Sequence, residues 1–194
     1  MASSLSFGWT IETRKALAWY PEKASDFMDF RAAIAPLEAA LGDPRAGLPE
    51  EVFLFASRIT PLINVDLLIQ DDAGRTLLTW RDDEFFGQGW HTPGGIIRYK
   101  ETAADRIRAC ALQELGAEVS FDATPLLVLE TIRPHSSRGH FISLLYRCRL
   151  RTLLDENLRA GDVHPPPAGA WLWHKAAPTD LLEVHAPYTQ FFRC

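Results

Sequence analysis

The chain has three cysteines, Cys110, Cys148 and Cys194, and none of them is spaced as in a CxxC pair. An odd number of scattered cysteines argues against a disulfide framework or a zinc site and favours free thiols in a reducing compartment. The sequence also lacks an apolar run of the ~20 residues that a membrane span needs, and Met1–Ser6 has no signal-peptide core. We therefore expect a cytoplasmic protein with no membrane partner.

The chain has no excess of positive charge either. Its formal net charge is −5, and the basic residues are scattered, so nucleic acid is not an expected partner. With 47% hydrophobic residues, 6 Trp, 11 Phe and 4 Tyr, it can form a real core. We expect one domain over residues 48–194 and an N-terminal extension over 1–47. The extension could cover an apolar face or contribute to a dimer, and the sequence does not decide between them.

The most informative stretch runs from Trp90 to Val119. Its Pro93-Gly94-Gly95 segment is a turn signal, because glycine accepts positive φ and lets the backbone come close to a ligand. A helix should follow, with Thr102 as its N-cap and Gly116 as its stop. Apolar residues recur at helical spacing and predict a buried face, namely Ala103, Ile107, Ala111 and Leu115.

This loop and helix resemble the Nudix box, G-x5-E-x7-R-E-U-x-E-E-x-G-U, in which U is a bulky apolar residue. Gly95, Glu101, Glu114 and Gly116 lie at the box spacings, whereas other box positions are replaced: Ala109 for the arginine, Cys110 and Gln113 for two glutamates. A box reduced in this way resembles the GDP-mannose mannosyl hydrolase branch of the family. The resemblance covers roughly residues 48–192.

The resemblance implies an α+β fold, in which a mixed β-sheet is sandwiched between helices. The sequence pattern adds particular elements: helices over 25–42 and 50–58, strands over 63–69, 75–80, 125–133, 140–150 and 170–173, and short closing helices over 179–182 and 185–192. The first two strands should form a hairpin at the turn Asp71–Gly74. A further strand is expected within 9–20.

The resemblance also implies a Mg²⁺ cofactor, held by Glu114 and the backbone carbonyl of Gly94. Mg²⁺ prefers hard oxygen ligands and takes part of its shell from substrate phosphates. Cys110 is a poor ligand for it, and Gln113 offers a neutral oxygen only, so binding to the free protein should be weak. The structural alternative for Glu114 is a solvated helix carboxylate.

Four residues are predicted to bind the substrate. Arg81 matches an arginine of the branch that touches phosphates, and its alternative is pairing with Asp82 or Asp83 at a surface turn. Arg98 lies near the position of another such arginine, which is Ile96 here. Asp66 shares a strand face with Asn64 and is expected to line a polar pocket, although a structural hydrogen-bonding role is equally open. His140 is the fourth, with a structural role as its alternative.

The catalytic base is predicted to be His164, because the branch carries a histidine base on a loop before its last strand. An imidazole titrates near neutral pH and suits that role. A surface histidine in a proline-rich loop is the alternative.

These features predict a Mg²⁺-dependent hydrolase of a nucleoside-diphosphate sugar such as GDP-mannose, in which water attacks the anomeric carbon. Glu114 and His164 are the predicted catalytic residues. A pyrophosphohydrolase that cuts a P–O bond and a Nudix-fold binding module without catalysis stay open as alternatives. A homodimer is expected from the resemblance.

Overall fold

The computed structural model describes residues 29–133 and 138–192. The chain divides into two compact units, Met1–Gly42 and Asp43–Cys194. In the first, helix α1 spans Phe30–Leu41, and Asp29 caps it by accepting from the backbone N–H groups of Arg31 and Ala32. This helix begins later than predicted and includes Pro36. The strand predicted within 9–20 lies outside the described residues.

The second unit contains helices α2 (Glu50–Ile59) and α3 (Ala103–Leu115), and 3₁₀ helices over Glu156–Leu158 and Glu183–Phe191. Its strands are β1 (Leu62–Ile69), β2 (Thr76–Asp83), β3 (Gly87–His91), β4 (Gly94–Ile96), β5 (Val119–Phe121), β6 (Leu127–Ile132), β7 (His140–Leu150) and β8 (Trp171–His174). The predicted α+β class is confirmed. No helix in the described ranges is long and apolar enough to cross a membrane.

Two sheets organise this unit. A mixed sheet has the order β4-β1-β7-β5, with β6 also paired to β7, and a three-stranded sheet has the order β3-β2-β8. Strands β1 and β7 run parallel, which requires the long intervening segment that carries α3. Val65, Leu67 and Ile69 of β1 are fully buried in the core that also receives α3.

Helix α3 forms as predicted. The Thr102 side chain accepts from the backbone N–H of Asp105, and Gly116 ends the helix at φ 61°. Ile107, Ala111 and Leu115 are fully buried, and this face explains why the helix packs on the mixed sheet.

The predicted turn Asp71–Gly74 forms: the backbone N–H of Asp71 donates to the Arg75 carbonyl oxygen at 3.1 Å, and Gln70 and Thr76 make an antiparallel bridge. The hairpin does not continue beyond that bridge, because β1 and β2 belong to different sheets. Strand β1 already has a neighbour on each side, β4 and β7, so β2 pairs with β3 and β8 instead. The segment 179–182 is not helical, because Leu181 bridges to Trp90 in extended conformation.

The Gly94-Gly95 pair is also not a positive-φ turn. Both glycines lie in β4, which pairs with β1, and neither has positive φ. Glycine is needed at these positions because neighbouring atoms lie too close to the backbone to leave room for a Cβ. A Cβ at Gly94 would lie against the Val65 carbonyl oxygen and 2.6 Å from Oδ1 of Asp66, and one at Gly95 would lie 2.8 Å from Sγ of Cys110.

Candidate active site

A cavity of about 180 Å³ opens between these elements. Strands of both sheets and the C-terminal 3₁₀ helix supply its walls. Its lining comprises Leu62, Asn64, Arg81, Phe86, His91, Thr92, Gly94, Gly95, Ile96, Arg138, His140, Phe141, Ser143, Val184 and His185. This mixture of aromatic, neutral polar and cationic side chains suits an organic anion.

Glu114 lies beside this cavity through its bond to a lining residue. Its Oε1 accepts from the backbone N–H of Gly94 at 3.0 Å, and Oε2 lies 3.3 Å from the Thr79 hydroxyl. Burial raises the pKa of Glu114 to about 7, although the Gly94 bond and the charge of Arg81 oppose that rise. The box carboxylate is therefore held by the glycine strand and exchanges protons near neutral pH.

Thr79 connects Glu114 to His91, because its Oγ1 also lies 3.0 Å from Nε2 of His91. The other ring nitrogen, Nδ1, lies 2.9 Å from the carbonyl oxygen of Thr92, which can only accept. In neutral His91 the proton is therefore on Nδ1, and Nε2 accepts from Thr79. Burial lowers the pKa of His91 well below its usual value, which keeps the ring neutral. The Thr79 hydroxyl has a single proton, which it donates to His91. Its oxygen can therefore accept a hydrogen bond from Glu114 when Glu114 is protonated.

Asp66 lies behind the cavity wall and does not line it. Its Oδ1 accepts from Asn64 at 3.1 Å and its Oδ2 from the Tyr188 hydroxyl at 2.5 Å. Burial raises the pKa of Asp66 to about 6. Asn64 and Ser143, which do line the cavity, bond to each other at 3.1 Å. Asp66 therefore orients the polar wall, which matches the structural alternative considered for it.

Arginines gather around Phe86 at one side of the cavity. The guanidinium carbons of Arg81, Arg133 and Arg138 lie 5.4, 5.1 and 5.5 Å from the ring centroid. Arg81 and Arg138 both line the cavity, and Arg81 contacts Asp83 at 3.4 Å. Burial, together with the charge of Arg81, lowers the pKa of Arg138. Guanidinium groups this close to one another raise the local potential for an anion.

His140 lines the cavity and pairs with a carboxylate on the neighbouring strand. Its Nε2 lies 3.1 Å from Oε1 of Glu130. A neutral ring in that pair carries its proton on Nε2, which leaves Nδ1 as the nitrogen that can accept a proton. The arrangement is that of an imidazole oriented by an acid.

His164 and Arg98, by contrast, do not line the cavity. The His164 ring is exposed and packs edge-on against Trp80, with centroids 5.8 Å apart. Arg98 follows the end of β4, donates its backbone N–H to Glu101 and its guanidinium to the Arg45 carbonyl oxygen. Strand β4 ends at Ile96, and the Arg98 side chain bonds to Arg45 and does not enter the cavity lining.

The sequence analysis missed three side chains in or beside this cavity: His91, His185 and Arg138. None of the three was singled out above as a site residue. Arg138 lies two residues before β7, and its place in the site depends on its distance from Phe86, which the sequence does not show. His91 ends β3, and the sequence around it matches no cofactor or substrate motif.

These donors do not by themselves make a complete site for a divalent cation. In the described ranges, no group of three His, Cys, Asp or Glu side chains is placed to hold a metal ion. Burial raises the pKa of Cys110 to about 12, so it stays a thiol, and Gln113 is exposed. Glu114 remains as the one box carboxylate beside Gly94. This donor set fits an ion that enters with substrate phosphates and does not form a complete site by itself.

The α+β class of the fold is the one implied by the resemblance to the Nudix box. A family model for the NUDIX domain matches residues 60–190. This is more than half of the chain, and the chain belongs to the NUDIX domain family.

Two relatives illustrate the match. The low-salt glycan biosynthesis protein Agl8 of Haloferax volcanii is 31% identical over 80 residues, which are 41% of this chain and 51% of that protein. The chain thus spans about half the length of this curated relative. The crystal structure of a MutT NUDIX hydrolase from Burkholderia pseudomallei superposes with a TM-score of 0.56 at 22% identity, covering 68% of this chain and 97% of that one. That similarity shows the shared fold.

Proposed function

We propose that the chain is a hydrolase of a nucleoside-diphosphate sugar such as GDP-mannose. Water adds to the anomeric carbon, and the bond from that carbon to the diphosphate oxygen breaks. Free sugar and the nucleoside diphosphate leave as products. The observation that carries this proposal is the pair Arg81 and Arg138 in one cavity, beside the carboxylate of Glu114 on α3.

The guanidinium pair suits the leaving group. Cleavage at carbon leaves the electron pair and the negative charge on the diphosphate, so the main requirement is cationic groups fixed where that charge develops. The planar guanidinium of arginine donates to two phosphate oxygens at once. Attack at phosphorus instead depends on carboxylates that hold metals and activate water, and α3 retains one of that cluster.

Glu114 and the carbonyl of Gly94 are the proposed ligands of Mg²⁺, which would supply further positive charge to the departing diphosphate. The chain's own contribution is to hold the Glu114 carboxylate against β4 through the Gly94 N–H. The ligand role requires Glu114 to be ionised, and because burial raises its pKa to about 7, a metal ion would compete with a proton for this carboxylate near neutral pH.

His140 replaces His164 as the proposed base, because His140 lines the cavity. Glu130 accepts a hydrogen bond from the protonated Nε2 of His140, and Nδ1 takes the proton that the attacking water releases. Asn64 and Ser143 on the same wall are positioned to bind sugar hydroxyl groups.

The glycan biosynthesis relative supports a substrate that contains an activated sugar. Homodimer formation and a cytoplasmic location stay predictions of the family resemblance and of composition. A purification followed by light scattering would test the first directly.

The experiment is hydrolysis of a panel of nucleoside-diphosphate sugars with Mg²⁺ in ¹⁸O-labelled water, followed by mass spectrometry. Cleavage at carbon places the label in the free sugar and leaves the nucleoside diphosphate unlabelled. Label in sugar phosphate or nucleoside monophosphate would instead establish P–O cleavage and contradict the proposal.

A NUDIX-fold binding module without catalysis is the second candidate. One observation favours it: the described residues do not bring together a metal-holding group of three side chains. Binding of the sugar nucleotides by calorimetry, with no product after prolonged incubation, would establish this candidate in place of the hydrolase.

A further inference from the structure

His185 is a buried histidine at the start of the C-terminal 3₁₀ helix, with 8% of its surface exposed. Its Nδ1 lies 3.0 Å from the backbone N of Thr92 and 2.8 Å from the Thr92 hydroxyl. A backbone N–H can only donate, so Nδ1 is the acceptor and carries no proton. The single proton of the neutral ring is therefore on Nε2.

Nε2 of His185 faces accessible space. The ring lines the cavity, and no hydrogen-bond partner of Nε2 occurs among the described residues. Nε2 is also not one of the buried unpartnered side-chain atoms there, which are Nε1 of Trp80 and Nε2 of His174. An N–H donor is thus presented to whatever fills the cavity.

The ring is held in that orientation and stays neutral. Tyr188 and His91 pack against it edge-on, with ring centroids at 5.3 and 5.9 Å. Burial, and secondarily the positive charge of Arg81, lower the pKa of His185 to about 3. His185 cannot serve as a base, because Nδ1 is occupied by Thr92 and Nε2 already carries the proton.

We propose that His185 is a specificity-determining residue that donates from Nε2 to a phosphate oxygen of the substrate's diphosphate, with Thr92 as its positioning residue. The proposal rests on the proposed function for the presence of a diphosphate in this cavity. An anionic oxygen is the acceptor because Arg81 and Arg138 line the same walls, and a donor gains most from a charged acceptor. The Nε2–H of the neutral ring adds a hydrogen bond to the phosphate oxygen without adding a positive charge to the cavity.

The first test uses the unmodified protein and inorganic pyrophosphate with Mg²⁺. Long-range ¹⁵N–¹H spectra of the histidine rings distinguish a protonated from an unprotonated nitrogen. We expect the ring assigned to His185, by its absence from the spectrum of His185→Gln, to be neutral, with Nε2 protonated and Nδ1 unprotonated. The Nε2 resonance should shift when pyrophosphate is added. An Nδ1-protonated tautomer, or a resonance that does not respond to bound pyrophosphate, would overturn the proposal.

The second test measures pyrophosphate affinity by calorimetry. Replacement His185→Phe removes the donor and should weaken binding by about tenfold or more, as expected for a hydrogen bond to a charged group. Glu118→Gln is the matched control, because Glu118 is exposed and does not line the cavity, and it should keep the wild-type affinity. Equal affinities for wild type and a folded His185→Phe variant would overturn the proposal, as would failure of the wild type to bind millimolar pyrophosphate.

Failure of the proposed function is a separate outcome. If no sugar nucleotide is hydrolysed but pyrophosphate binds in a His185-dependent way, the reaction is refuted and the donor role stands. If sugar nucleotides are hydrolysed and His185→Phe leaves KM and pyrophosphate affinity unchanged, the donor role alone is refuted.

Discussion

The backbone N–H of Gly94 donates to Oε1 of Glu114 at 3.0 Å and ties strand β4 to the last turn of α3. One bond thereby joins the glycine pair to Glu114, the glutamate of the box that α3 carries. It also means that Glu114 has a structural role beside its proposed role as a metal ligand, and the two can be separated by substitution.

The variant Glu114→Gln tests the chemical function. The amide oxygen can still accept from Gly94, and the amide nitrogen can donate to Thr79, so we expect little change in stability. Turnover should fall by about 100-fold or more, because the charge that would bind a metal ion is lost. Initial rates at saturating substrate give the result.

Glu118→Gln is the matched control, since Glu118 is exposed and does not line the cavity. It should keep wild-type turnover. Wild-type turnover in Glu114→Gln as well would show that Glu114 is neither a metal ligand nor otherwise needed for the reaction.

Gly94→Ala should destabilise the fold. The new Cβ would contact the Val65 carbonyl oxygen and come within 2.6 Å of Asp66, and backbone atoms cannot move aside as a flexible side chain can. Overpacking of this kind typically costs about 1–3 kcal/mol in the free energy of unfolding, and we expect the upper part of that range. Urea denaturation measures it.

The same substitution at Gly161 is the control, because a Cβ there meets nothing within 4 Å. We expect Gly161→Ala to differ from wild type by less than about 0.5 kcal/mol, as surface changes usually do. Equal stability of both variants would show that β4 does not lie as close to β1 as described.

His140→Ala and His164→Ala distinguish the two candidates for the base. Loss of a general base typically lowers kcat by about 10²–10⁴-fold. We expect that loss for His140, which lines the cavity, and at most a small change for His164, which packs on Trp80. Rates for the two variants, measured on the substrate identified by the ¹⁸O experiment, decide between them. The reverse pattern would restore the prediction made from sequence.

Local signals in the sequence predicted local structure well. Thr102 and Gly116 delimit α3. A run of residues that favour β-structure predicted a strand over the residues that form β7, His140–Leu150. In each case the information lies within one element, as caps and periodicity do. The position of Glu114 beside Gly94 followed from the box.

Contacts between distant segments were not predictable in this way. Tyr188 bonds to Asp66 across a separation of 122 positions, and His185 to Thr92 across 93. No spacing rule connects such pairs, because their proximity results from how the two sheets and the last 3₁₀ helix pack. For the same reason Asp66 was expected in the pocket, whereas burial and Tyr188 place it behind the wall.

Acid should destabilise the protein through His185. The pKa of this residue is lowered from 6.5 to about 3 in the folded state. Between those pH values the unfolded chain binds a proton that the folded chain does not, so the free energy of unfolding falls as the pH falls. This contribution is fully present above about pH 6.5 and declines by about 1.4 kcal/mol per pH unit below it.

Other buried groups titrate in the same window, so the comparison with a variant is essential. The pKa of Asp66 is raised from 3.8 to about 6, and acid therefore favours the folded state through Asp66. His91, with a lowered pKa, acts in the same direction as His185. In His185→Gln the Asp66 and His91 contributions remain and the His185 contribution is lost.

The measurement is urea denaturation of wild type and His185→Gln at pH 7.5, 5.5 and 4.5. The variant should be less stable than wild type at pH 7.5, because the glutamine does not reproduce the fit of the ring. The difference in the free energy of unfolding between the two proteins should then narrow toward pH 4.5, by about 1.4 kcal/mol for each pH unit below about 6.5. A difference that is constant across the three pH values would mean that His185 is not held neutral in the fold, and it would remove the reason for assigning its proton to Nε2.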